Sequence, residues 1–160
     1  MKHKGNNYAF IDGQNLHITT VNMGWEIDYN RFRTYLRDKF DVVKAFYFIG
    51  FIPTNAVLYE SLQEDGYILI FKPTLKLPSG KHKGNIDAEL VLHAMIQYQN
   101  YDKAVIVSGD GDFYCLANYL LKNNKLLKLI VPNDKRYSSL FRKFKEYVMG
   151  VNRLRGKLEK

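Results

Sequence analysis

The chain has 160 residues, 46% hydrophobic and 25% charged, and its 24 Lys and Arg against 16 Asp and Glu give a net charge of +8. That length supports one domain (residues 1–160, a core over about 8–150 and a basic tail over 151–160), and the balance excludes a disordered chain. The one cysteine, Cys115, excludes an internal disulfide or a thiolate metal cluster, and the longest apolar run, residues 45–52, falls far short of the roughly 18–20 residues of a membrane helix.

These features predict a reduced, cytoplasmic protein with no membrane contact. The basic excess points to a polyanion, nucleic acid first, with plain solubility as the competing explanation. In chain order, YAFID (8–12) reads as a short buried strand followed by an amphipathic stretch from Asn15. Residues 29–40 place Phe32, Leu36 and Phe40 four apart, a helical face. VVKAFYFIG (42–50) is β-branched and aromatic, hence a strand, and residues 54–66 open on Thr54 and close on Gly66, start and stop signals of a helix. YILIF (67–71) is a further strand, and residues 72–85 carry the Pro and Gly punctuation of a loop or hairpin. A helix over 86–100, a strand over 103–109, a helix over 113–124 and a strand over 125–132 follow, then a helical 138–144, a short strand near 146–151 and the basic tail.

Strands separated by helical stretches of roughly 10–15 residues predict an α/β fold: a three-layer α/β/α sandwich around a mainly parallel sheet. The continuous apolar character of AVIV (104–107) and YILIF predicts strands buried on both faces.

Open parallel sheets bind ligands beyond the carboxyl ends of their strands. Asp12, with Asn15 three residues on, ends the first strand, and Ser108, Asp110 and Asp112 follow a later one. Asp87 opens the 86–100 helix, where about 100° per residue puts it on the side of Leu90, Val91, Ala94 and Tyr98. Singly, each acid has a structural explanation: Asp12–Gly13 as turn chemistry, Asp87 as a first-turn charge on the helix dipole, Asp112 as a helix cap. Brought to one sheet edge they would repel, because like charges raise each other's pKa, and a divalent ion on oxygen ligands resolves that conflict. Gly109 and Gly111 fit a close approach of backbone to ligand. Dinucleotide, phosphate-loop and EF-hand patterns all fail, and His3, His17, His82 and His93 lack zinc-ligand spacing.

Three motifs in order, FIDGQNL, KGNIDAEL and VIVSGDGDF, resemble the NYN domain family of PIN-like ribonucleases over residues 8–150. The resemblance implies a Mg²⁺- or Mn²⁺-dependent endoribonuclease that leaves a 5′-phosphate. It implies Asp12, Asp87, Asp110 and Asp112 as metal ligands, with Asn15 and Ser108 supporting them. Many members carry a further aspartate six residues after the KGxxD acid, where this chain has His93; about 240° of helix separates it from Asp87, which favours a packing role. For RNA, Lys72, Lys76, Lys81 and Lys83 surround the loop before Asp87, and Arg142 and Lys143 open a basic C-terminal stretch that could equally be a solvated, frayed helix. Tyr114 and Tyr137 are the candidate base-stacking residues, and Trp25, in a connection, is open to either a core or a base-stacking role. Two rivals stand beside this reading: a non-catalytic RNA-binding or scaffold module of the same fold, and another metal-dependent phosphoryl-transfer enzyme using only the Asp-Gly-Asp turn. A homodimer is compatible with all of them.

Overall fold

The computed structural model describes residues 5–80, 82–83 and 86–160. Its centre is a six-stranded sheet ordered β3-β2-β1-β6-β7-β8, every neighbouring pair parallel. The strands are β1 (Asn7–Asp12), β2 (Val42–Phe51), β3 (Tyr67–Pro73), β6 (Ala104–Val107), β7 (Leu126–Val131) and β8 (Val148–Gly150). Two short segments, β4 (Leu75–Lys76) and β5 (His82–Lys83), form a separate antiparallel hairpin, so the punctuated 72–85 segment is a hairpin.

The helices α1 (Gly13–Asn22), α2 (Tyr29–Phe40) and α3 (Ala56–Glu64) follow β1 and β2 as the chain moves outward to the β3 edge. It then returns through α4 (Asp87–Ile96) to β6, beside β1, and moves outward again through α5 (Tyr114–Lys122) to β7. Connections from the middle of the sheet therefore leave in opposite directions, and the crevice they open lies between the carboxyl ends of β1 and β6.

Alternation along the strands feeds two cores. Tyr8 and Phe10 of β1 join Phe46, Phe48, Leu90, Leu116 and Phe141 on the α4 and α5 side. Ala9 and Ile11 join Leu16, Phe32, Leu36 and Tyr47 on the α1 and α2 side. The α2 stripe Phe32, Leu36 and Phe40 is buried as its spacing predicts, each side chain contributing about 1.5–3 kcal/mol of apolar burial. Trp25 belongs to this second core.

Several expectations need correction. AVIV is buried throughout, but β3 is the sheet's edge strand, and Ile68 and Phe71 are exposed. An apolar run reports the side chains' own character, not whether a further strand or helix covers them. Thr54 does not cap α3; a 3-10 turn over Pro53–Asn55 precedes the helix, which has no side-chain cap, while Gly66 does take the left-handed φ of +99° expected at its end. Residues Ser139–Phe144 are a 3-10 helix, anchored by buried Phe141 and Phe144. The basic tail is not frayed: α6 (Arg155–Leu158) buries Leu158 in the α2-side core, and the Leu158 carbonyl accepts the Asp28 N–H at 2.7 Å. Its charges are partly spent within the chain, since Arg153 pairs with Asp134 at 2.7 Å and Arg155 with Glu159 at 3.1 Å. Among the described residues no helix is long and apolar enough to cross a membrane.

Candidate metal centre

Ile11 pairs with Val107 across β1 and β6, so the next residues, Asp12 and Ser108, emerge side by side at the crevice. Asp12 leaves β1 in an extended conformation (φ −75°, ψ 92°) and caps α1, its Oδ1 accepting the Asn15 N–H at 3.1 Å. Its other oxygen, Oδ2, accepts the fully buried Ser108 hydroxyl at 3.0 Å. Ser108 Oγ in turn accepts the Asp110 N–H at 3.1 Å, and the Asn15 carbonyl oxygen accepts the Gly109 N–H at 2.9 Å. The loops after β1 and β6 are thus laced together by Asp12, Asn15 and Ser108.

Asp110, rather than Asp112, is the cap of the turn that follows: its Oδ1 accepts the Asp112 N–H at 2.9 Å. Asp87 arrives from the other direction, on the first turn of α4. Ile86, Leu90 and Ala94 bury the adjoining stripe against the sheet, which fixes Asp87 at the crevice edge. One oxygen each from Asp12, Asp87 and Asp110 lie within 4.8 Å of one another. Asp112 stands outside this trio, exposed, with its carboxyl hydrogen-bonded to that of Asp87.

The electrostatics follow from that crowding. Asp12 is held above the ordinary aspartate value, first by burial and then by Asp110, against the lowering effect of its Asn15 and Ser108 hydrogen bonds. Asp87 is raised from 3.8 to about 7 by burial, by its hydrogen bond with Asp112 and by the charges of Asp110, Asp12 and Asp112. A cation among the three oxygens removes that penalty. Ligands sit about 2.0–2.6 Å from a Mg²⁺- or Ca²⁺-type ion, so oxygens sharing one lie no more than roughly 4–5 Å apart. The trio meets that spacing and supplies only hard oxygen donors, so the residues fit a divalent ion.

The trio borders a cleft of about 300 Å³ together with Gln14, Asn15, Ile18 and Ile86. Sequence reasoning missed Gln14, Ile18 and Ile86. The signal for the first two was present: they are four apart on α1, directly after the Asp12 cap, and so share a face. His93 is half-buried against Phe48, ring centroids 5.6 Å apart, in the packing role its helical angle favours. A Cβ at Gly109 would make only ordinary contacts, 3.5 Å or more, whereas one at Gly111 would lie 2.3 Å from Ser138 Oγ. The glycine requirement at Gly111 therefore comes from the 138–140 segment packed on the turn, not from a ligand.

The basic residues are dispersed. Lys72 Nζ lies 3.8 Å from Glu89 Oε2 on α4, while Lys76 is exposed on the hairpin. Lys81 and the side chain of Lys83 lie outside the described residues. Arg142 is exposed; Lys143 donates to Asn118 Oδ1 at 2.8 Å and sits 5.4 Å from the Tyr114 ring centroid. Tyr114 is itself half-buried against Phe144, and Tyr137 is half-buried on the Gly109 side.

A parallel α/β sheet with a cluster of carboxylates at its switch point defines the class of fold and site. The profile of the NYN domain matches residues 8–149, and the chain belongs to that family. It is similar to the low amplitude and bright protein LabA of Synechococcus elongatus, 26% identical over 161 residues that span 94% of this chain and 86% of LabA. Its fold is that of a protein of unknown function from Vibrio parahaemolyticus, with a TM-score of 0.75, 24% identity, and coverage of 94% of this chain and 95% of that one.

Proposed function

We propose that this chain is a divalent-metal-dependent endoribonuclease that hydrolyses phosphodiester bonds at the β1/β6 crevice. The observation that carries the reading is the convergence of Asp12, Asp87 and Asp110, from three separate elements, within 4.8 Å. Crowding of this kind costs folding free energy unless a cation answers it. Those three carboxylates are the ligands we assign for Mg²⁺ or Mn²⁺. When bound, such an ion supplies Lewis acidity and neutralises charge that develops on phosphate oxygens.

The chain's own residues do the rest. Ser108 and Asn15 hold Asp12 and the Gly109–Asp110 backbone in place, so they are positioning residues. The Asn15 carbonyl is engaged by Gly109, which leaves its amide NH₂ as the group for a phosphate oxygen. To Asp112, hydrogen-bonded to Asp87 and open to solvent, we assign the acceptance of a proton and its passage to water. Exposed Lys76 and Arg142 are the cations we assign to the RNA backbone, with Lys72, Lys81, Lys83 and Lys143 as further candidates; such contacts position a strand without reading its sequence. Work inside the cell, where the exposed thiol of Cys115 stays reduced, suits this reading.

The test is incubation with single-stranded RNA and Mn²⁺ or Mg²⁺, beside EDTA and Asp110→Asn controls. Cleavage that needs the metal and falls at least about 100-fold in the variant is expected, since charge placed on the transition state is the largest catalytic term. Cleavage that survives both controls removes the mechanism, and RNA binding without cleavage would favour the scaffold module instead.

A further inference from the structure

A second cavity, of about 550 Å³, opens beside the acidic cleft on the α1/α2/α3 face of the sheet. Gln14 and Ile18 line both, so a single turn of α1 is the ridge between them. The volume falls in the range of small-molecule sites, about 300–1,000 Å³. The floor is aromatic and aliphatic, with Tyr29, Tyr47 and Ile49, and Leu58 and Ser61 of α3 form the far wall. Tyr29 and Tyr47 are fixed edge to face, with hydroxyls 3.2 Å apart.

The charges say what the cavity rejects. Glu26, Asp28 and Asp65 border it, against Lys160 alone among its lining lysines and arginines. Asp28 also pairs with Arg31 at 3.5 Å and Asp65 Oδ1 accepts the Asn30 amide at 3.2 Å, and both carboxylates keep further acceptor capacity. A phosphate would be repelled there, whereas an uncharged ring bearing N–H donors finds carboxylate acceptors and an apolar, partly aromatic lining. In an RNA strand those properties belong to the base.

We propose that this cavity receives one unpaired nucleobase of the strand whose phosphate lies over Asp12, Asp87 and Asp110, with α1's first turn between phosphate and base. The proposal rests on the nuclease reading for its substrate, and it makes that substrate single-stranded or locally unstacked, because a paired base cannot leave its helix without an added cost of a few kcal/mol. Carboxylate acceptors at the border favour guanine, which offers ring N–H and amino donors, over uracil.

The full chain is titrated with guanosine, adenosine, cytidine and uridine while backbone amide NMR signals are followed, in wild type and in Leu58→Trp and Ser61→Trp, which fill the cavity from α3. Val57→Trp, on the same helix but 81% exposed and outside the cavity, is the control. Saturable shifts at Gln14, Ile18, Leu58 and Ser61 are expected, strongest with guanosine, absent in both filled variants and kept in the control. On a single-stranded RNA the filled variants should lose roughly ten- to hundredfold in kcat/KM and lose the wild-type pattern of cut sites, the worth of one stacked base. Nucleoside binding needs no turnover, so a chain that cleaves nothing still tests the cavity, and the failures of the two readings separate. The proposal is overturned if no nucleoside moves those signals, or if filled variants cut RNA at wild-type rate and positions.

Discussion

Asp87→Asn should stabilise the metal-free protein, and the gain should depend on pH. In the folded chain Asp87 titrates at about 7 against an ordinary 3.8, a raise of roughly three units. At about 1.36 kcal/mol per unit that corresponds to roughly 4 kcal/mol, which solvent screening at this partly open carboxyl reduces to about 1–2 kcal/mol. The sign follows from proton binding: between pH 4 and 7 the folded state holds a proton that the unfolded chain has released, so stability falls as pH rises. The wild type is therefore least favoured above about pH 7, where Asp87 is forced to ionise beside Asp12 and Asp110. Asparagine keeps the shape and a donor for Asp112 but removes the charge. For a chain of this size each 1 kcal/mol shifts Tm by about 2–4 °C, so the variant should melt roughly 2–8 °C above wild type at pH 8 in EDTA. The difference should shrink toward zero as pH falls to 4. Added Mn²⁺ should reverse the order, because a ligand at 100 times its Kd stabilises the state that binds it by about 2.7 kcal/mol. Differential scanning calorimetry over pH 4–8, with and without metal, measures all of this. A variant less stable than wild type at pH 8 in EDTA would refute the claim that the carboxylates are forced together.

Two further substitutions probe the supports. Ser108→Ala removes the donor to Asp12 Oδ2 and the acceptor for the Asp110 N–H, both buried or half-buried. Denaturant titration should show a loss of about 1–3 kcal/mol, and Mn²⁺ affinity by calorimetric titration should weaken with it. Gly13→Ala places a Cβ 2.3 Å from the Tyr47 ring and 2.9 Å from the Phe48 carbonyl. The first turn of α1 must then shift, costing about 1–3 kcal/mol of stability by the same titration and displacing Asp12, its cap.

How far the sequence disclosed this molecule depends on whether a property belongs to a segment or to a pair of segments. The α2 stripe, AVIV and the ends of β1 and β6 were legible because spacing and side-chain type settle them locally. The exposure of β3 was not, since it depends on which strand lies beyond it in the sheet. The cap belongs to Asp110 rather than Asp112 because the chain is still extended at Asp110 (φ −82°, ψ 122°), and the glycine at 111 answers Ser138, 27 positions later. The tail's burial likewise depends on Ile27 and Asp28, far away in sequence.

The carboxylates fall between those cases, and the reason bears on mechanism. Their convergence was legible because a parallel sheet forces the carboxyl ends of β1 and β6 together and starts the returning helix at the same edge. Their inequality was not. Asp12 and Asp110 are tied to one another's loops through Ser108 and Asn15, so their positions are set whether or not a cation is present. Asp87 meets them from a separate element, α4, and its carboxyl is hydrogen-bonded to that of exposed Asp112. A cation entering the cleft thus finds two acids fixed by backbone and hydroxyl donors and a third whose charge state responds to it. Loading should release a proton from Asp87 near neutral pH, which couples metal affinity to pH through the same group that destabilises the metal-free protein.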